Sequence, residues 1–225
     1  MTVLGIETST AVCSVGLVVG ERSFHRALRE DRIHSEKLLT LVDEVLREAE
    51  CPVEEIDGVA VARGPGSFTG LRIGVSAAKG LVMAGRAALI GVPTMDAAVR
   101  SARAAGMFPD GGVVLMDARQ GDWYVGVYDA SGAALHTAVE QHATALARCE
   151  GRPVMTDRPD AMRSVASMVC DLHDHVRGDV VAVLGHERLR LGHRDVVEAF
   201  EPVYLKEFVI RSAAQRPAER SSQKQ

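Results

Sequence analysis

At 225 residues the chain is long enough to bury a substantial core, as one large domain or two small ones. Its 47% hydrophobic and 25% charged residues are those of an ordinary soluble globule, and a net charge of −4 excludes a global electrostatic grip on a polyanion. Any nucleic acid therefore has to be held mainly by a partner. The four cysteines (Cys13, Cys51, Cys149, Cys170) form no C-x-x-C pair and read as buried free thiols of a reducing cytosol. Met1 leads straight into a strand, and no apolar run reaches the roughly 20 residues that span a bilayer, so the expectation is a cytoplasmic protein with no membrane segment.

Residues 2–6 and 11–19 are apolar runs separated by Glu7-Thr8-Ser9-Thr10, and with residues 22–29 as a third strand they predict an antiparallel meander. The E-T-S-T turn either cradles a phosphate through its hydroxyls and N–H groups or is a plain hairpin turn. Residues 34–49 place Leu38, Val42, Val45 and Ala49 at helical spacing, widened by Leu39, Leu41 and Leu46. That face exceeds what one sheet needs, which leaves room for a partner helix beside the default of core burial. A strand at 58–62 then runs into residues 63–74, R-G-P-G-S-F-T-G-L-R-I-G.

This stretch reads as strand, tight turn, helix, with Ser67 or Thr69 as cap. A glycine-rich turn feeding a helix start suits an anion or a close-packed backbone. It is neither a Walker loop nor a dinucleotide fingerprint, because the required Lys and glycine spacings are missing. The helix at 71–85 carries Gly74, Ser76, Ala77, Ala78, Gly80, Ala84 and Gly85. Each glycine costs about 1 kcal/mol of helix propensity, so another backbone, of this chain or another, is expected to pack close. A strand at 87–92 and a helix at 94–105, with Thr94 as N-cap, complete the first half.

After Gly111-Gly112 strands at 113–116, 123–128 and 133–137 repeat the opening pattern. Helices are expected at 144–149, 160–172 and 179–191, a short strand at Val154-Met155, and an extended segment at 201–209. The pattern predicts a first lobe at 1–106, a smaller second lobe at 107–210 and a disordered tail at 211–225.

Seven blocks resemble the TsaB (YeaZ) family: I-E-T-S-T from Ile6, H-S-E-K-L-L from His34, the R-G-P-G-S-F-T-G-L-R-I-G stretch, A-K-G-L from Ala78, G-V-P-T from Gly91, D-A-R from Asp117 and P-V-Y-L-K from Pro202. The resemblance covers about the first 130 residues and resumes near Pro202; nothing specific is matched between Ala143 and Ala199. It implies an α/β, two-lobed fold of the actin, sugar-kinase and chaperone-type ATPase superfamily with a trimmed second lobe. It also implies a cytoplasmic, non-catalytic scaffold for TsaD, the transferase that forms threonylcarbamoyladenosine beside the anticodon of certain tRNAs. TsaE, an ATPase, is the further implied partner, and tRNA is reached only through the complex.

By the same resemblance, the catalytic relative carries two metal-binding histidines four residues apart where this chain has Thr94 and Ala98, and a methyl and a lone hydroxyl make no transition-metal site. His34 supplies no such pair, because Leu38 stands four residues on; the others (His25, His136, His142, His173, His175, His186, His193) are scattered and read as surface residues. Ser67 lacks a G-x-S-x-G context and a partner base, while Asp117 with Arg119 reads equally as an acid with an orienting guanidinium or as an ion pair. Two hypotheses follow. In the first, helices 35–49 and 71–85 form a face for TsaD, or for a second copy when TsaD is absent, built from Leu38, Leu41, Val42, Val45, Arg72, Gly74, Ala77, Ala78 and Leu81. No cofactor is required, and ATP or ADP belongs at the interface of the assembled complex. In the second, the chain is a stand-alone ATP-dependent transferase or glycoprotease-like hydrolase using Glu7, Thr8, Ser9 and Asp117, with Thr10 completing the nucleotide turn.

Overall fold

The structure is a computed structural model that describes residues 1–30 and 33–206. Its first sheet contains β1 (Thr2–Glu7), β2 (Val12–Val19), β3 (Arg22–Arg29), β4 (Gly58–Ala62) and β5 (Ala88–Val92), in the order β3-β2-β1-β4-β5. The first three form the expected antiparallel meander, and β4 and β5 add in parallel. Strand β1 is buried along its whole length, because helices cover both faces of the sheet. On one face α1 (His34–Glu48) and α2 (Phe68–Ala84) seal Leu4, Ile6, Val15, Leu17, Val59 and Val61.

The second sheet repeats the plan with β6 (Gly112–Asp117), β7 (Asp122–Tyr128), β8 (Ala134–Gln141), β9 (Pro153–Thr156) and β10 (Met168–Asp171), in the order β10-β9-β6-β7-β8. Its helices α4 (His142–Cys149) and α5 (Pro159–Met162) occupy the positions of α1 and α2, but α5 has 4 residues against 17 in α2. The trimming of the second lobe is concentrated there. Each lobe receives its remaining helix from the other: α3 (Thr94–Ala104) follows β5 yet packs Met95, Ala98, Val99 and Ala102 on Val114, Met116 and Met155 of the second sheet. Conversely α6 (Gly178–Arg190), expected inside the second lobe, packs Val181, Ala182 and Leu189 on Val3, Ala60, Ile90 and Val92 of the first. A division at 106/107 separates the sheets, while helix packing crosses it in both directions.

The seat of α6 is cut for its backbone. A Cβ on Gly5 would lie 2.1 Å from the Gly178 carbonyl oxygen, and Gly178 N donates to Ser14 Oγ at 2.9 Å. Three expectations are corrected. The helix expected at 160–172 is only α5, because Met168, Val169 and Cys170 pair in parallel with β9, whose backbone groups need a partner. The residue before α3 is Pro93, so Thr94 lies inside the helix and does not cap it. Residues 201–206 join no sheet ladder; the rest of that expected segment and the tail lie outside the described residues.

Candidate functional site

Two features stand where the sequence directs attention: the turn at 7–10 beneath the glycine-rich loop, and the outer surface of α1 and α2. Ser67 caps α2, accepting from Gly70 N at 3.2 Å. The loop is tied down onto the turn, with Ser67 N donating to Ser9 O at 2.7 Å and Thr8 Oγ1 donating to Gly70 O at 2.8 Å. A Cβ on Gly70 would lie 2.0 Å from Thr8 O, and one on Gly74 2.3 Å from Thr8 Oγ1. The close-packed backbone that these glycines imply is therefore that of Thr8 and Ser9 in the same chain.

Glu7, Thr8 and Ser9 are buried, and Thr10 is half-buried with its hydroxyl accepting from Val12 N at 3.1 Å. Ser9 N, the donor a phosphate would want, is taken by Glu7 Oε1 at 2.6 Å. Burial pushes the Glu7 carboxyl up to about 7, against the opposing pull of the bond it accepts from Ser9 N. Glu7 Oε2 and Ser9 Oγ have no partner among the described residues. The Thr8 hydroxyl and the Ser9 amide are thus committed inside the chain, beside a buried carboxyl, while the Ser9 hydroxyl is not.

Thr94 and Ala98 are fully buried, and Thr94 N donates to Gly64 O at 3.0 Å. Among the described residues no group of three or more His, Cys, Asp or Glu is placed to hold a metal ion. His175 departs from the surface reading: it is 6% exposed, its Nδ1 lies 3.3 Å from Ser101 Oγ, and burial pushes its pKa down. Asp117 is resolved as an ion pair within the second lobe. Its carboxylate binds Arg158, which the sequence did not single out, and accepts from Arg119 N at 2.8 Å, whereas the Arg119 guanidinium stays 3.7 Å away. The Asp117 amide donates to Asp157 at 3.1 Å, and burial pushes the Asp157 carboxyl up. All four cysteines are free and buried.

The outer face of the two helices differs from the expected one. Leu38, Leu41, Val42 and Val45 are 4% exposed or less and belong to the first lobe's own core, and Gly74 and Ala78 are buried under α2. Hence they are spent in packing within the chain, Leu38 alone also lining the groove between the helices. Ala77 and Leu81 are half-buried and Arg72 is exposed. The apolar groups that do face outward are Leu39, 61% exposed, and Met83, 78% exposed. A groove of about 330 Å³ between the helices is lined by Leu38, Leu39, Arg72, Ile73, Ser76 and Ala77, with Ser35 at its edge. Helical periodicity flagged Leu39 as part of a wide apolar face, but it could not say which edge of that face the sheet leaves uncovered.

Two sheets of one order, with helices exchanged between them, define a two-lobed α/β fold of the actin, sugar-kinase and chaperone-type ATPase kind. A solved structure of YeaZ from Pseudomonas aeruginosa matches with a TM-score of 0.75 and 25% identity, over 91% of this chain and 99% of that one. An activator of the 2-hydroxyisocaproyl-CoA dehydratase from Clostridium difficile, solved with bound ADPNP, shares the fold alone at a TM-score of 0.51 and 9% identity, over 87% of this chain and 99% of that one. The family model described as TsaD, tRNA N6-adenosine threonylcarbamoyltransferase, matches residues 29–209. The tRNA threonylcarbamoyladenosine biosynthesis protein TsaB of Haemophilus influenzae is 33% identical over 102 residues, 45% of this chain and 43% of that protein. Its counterpart in Escherichia coli is 38% identical over 96 residues, 42% and 41% of the two chains. These matches span less than half the length of either relative. The chain belongs to the tRNA N6-adenosine threonylcarbamoyltransferase (TsaD) family, on its TsaB (YeaZ) branch.

Proposed function

We propose that the chain is a non-catalytic scaffold subunit that binds and activates the TsaD transferase in the formation of threonylcarbamoyladenosine on tRNA. The observation that carries this reading is that the turn at 7–10 is sealed under the glycine-rich loop, with the Thr8 hydroxyl spent on Gly70 O and the Ser9 amide on Glu7. Thr94 and Ala98 add to it, since a buried hydroxyl and a methyl supply no imidazole where the resemblance puts two. The relatives named as tRNA threonylcarbamoyladenosine biosynthesis proteins support the process. The scaffold role is supported by the exposed Leu39 lining the groove between α1 and α2, and by the exposed Met83 further along α2, where a partner helix buries apolar surface.

In this reading TsaD occupies that face in the cytoplasm, a second copy of the chain takes its place when TsaD is absent, and TsaE joins the assembly. Nucleotide and tRNA are engaged by the complex rather than by this subunit. No helix among the described residues is long and apolar enough to cross a membrane. The test is transfer of the threonylcarbamoyl group to tRNA by the TsaD protein of the same organism. This chain alone should give no product, and adding it should raise TsaD turnover. Product formed by this chain alone, and lost on Glu7→Ala, would overturn the proposal in favour of a stand-alone transferase.

A further inference from the structure

The P-V-Y-L-K block borders the glycine-rich loop and the groove residue Arg72, and it touches both lobes. At its first-lobe end Val203 N donates to Arg63 O at 2.7 Å, at the root of the glycine-rich loop. The Tyr204 ring lies 5.2 Å from that of Phe68, and its hydroxyl accepts from Arg72 Nε at 3.2 Å. Two residues on, Lys206 reaches the second lobe. Its ammonium donates to Ala118 O at 3.1 Å and to Arg119 O at 2.9 Å, and pairs with Asp122 at 2.8 Å.

The receiving turn between β6 and β7 is shaped for a cation. Arg119 and Gln120 both have left-handed backbone conformations, with φ of 63° and 59°, and successive carbonyls converge on the ammonium there. The Lys206 and Asp122 side chains are 23% and 29% exposed, so the pair is shielded more than an ordinary surface ion pair. Four consecutive residues thus join the glycine-rich loop of one lobe to the first turn of the other.

We infer that residues 203–206 are an interlobe clasp, in which Lys206 locks the β6–β7 turn at a fixed position relative to the glycine-rich loop. The chain itself supplies the tie that holds the lobes at one spacing. Opening the lobes requires breaking the Lys206 contacts or pulling Val203 and Tyr204 off the loop. Because only Leu205 separates Tyr204 from Lys206, release of one anchor slackens the other.

Hydrogen exchange on the full chain, read by mass spectrometry, tests this with Lys206→Met, which keeps the stem and removes the charge. Losing charged hydrogen bonds of this kind should speed exchange about tenfold at both anchors, residues 63–72 and 118–122, with an unchanged far-ultraviolet spectrum. Asp122→Asn, made from the opposite side of the contact, should speed the same two segments and carries the test if Lys206→Met does not fold. Acceleration confined to 118–122 would show a local turn cap and overturn the clasp, as would no acceleration at either anchor.

Discussion

Replacing Glu7 with glutamine should flatten the pH dependence of the chain's stability. The buried carboxyl titrates near 7 in the folded chain and near 4.5 when solvated. Between those values the folded state holds the proton that the unfolded state has released, so stability falls as pH rises from about 4.5 to 7 and levels off above. At about 1.4 kcal/mol per pH unit, the window amounts to a loss on the order of 3 kcal/mol at neutral pH and above. Glutamine keeps an acceptor for Ser9 N but carries no charge at any pH. Its amide nitrogen takes the unpartnered place of Oε2, a pH-independent cost of about 1–3 kcal/mol, so the informative quantity is the slope and not the offset. Urea unfolding followed by circular dichroism between about pH 5 and 8 should show the wild type weakening relative to Glu7→Gln as pH rises. Parallel curves would refute the claim that burial raises the Glu7 carboxyl toward neutrality in the folded chain.

Two glycines of one helix should respond in opposite directions. Gly74→Ala puts a Cβ 2.3 Å from Thr8 Oγ1 and should cost about 1–3 kcal/mol, whereas Gly80→Ala meets nothing within 4 Å and should gain about 0.5–1 kcal/mol, both read by denaturant midpoints. The thiols should be silent in the native protein. Burial pushes Cys13 and Cys149 up to about 11 and raises Cys51 and Cys170 as well. A disulfide reagent should therefore label none rapidly near neutral pH and all 4 after denaturation.

Most of the first lobe was legible because its signals are local. Alternating and continuous apolar runs marked β1, β2 and β4, the glycine cluster with Ser67 or Thr69 as cap marked α2, which starts at Phe68 rather than at the expected 71, and the 3.6-residue period of Leu38, Val42 and Val45 marked α1. The destination of each apolar face was not legible, because periodicity gives a direction and not a partner. That is why Leu38, Leu41, Val42 and Val45 read as an interface and proved to be core, and why α6 read as second-lobe helix and sits on Gly5 and Ala60 of the first. The strand β10 was hidden for a related reason: Met168 to Asp171 extends only because β9 lies alongside. The E-T-S-T turn was correctly placed, but whether its donors faced out or in depended on Gly70 and Gly74, more than 60 residues away in sequence.

The most direct test of the scaffold account is light scattering coupled to size-exclusion chromatography, on this chain mixed with the TsaD protein of its own organism. Leu39→Glu and Leu38→Glu are compared alongside the unaltered chain. Leu39 is 61% exposed and its charge should leave the fold within about 0.5 kcal/mol of wild type, while Leu38 at 2% should not tolerate one. The account predicts a 1:1 complex with the unaltered chain and none with a folded Leu39→Glu variant. A Leu39→Glu chain that still binds, or an unaltered chain that does not, would contradict it.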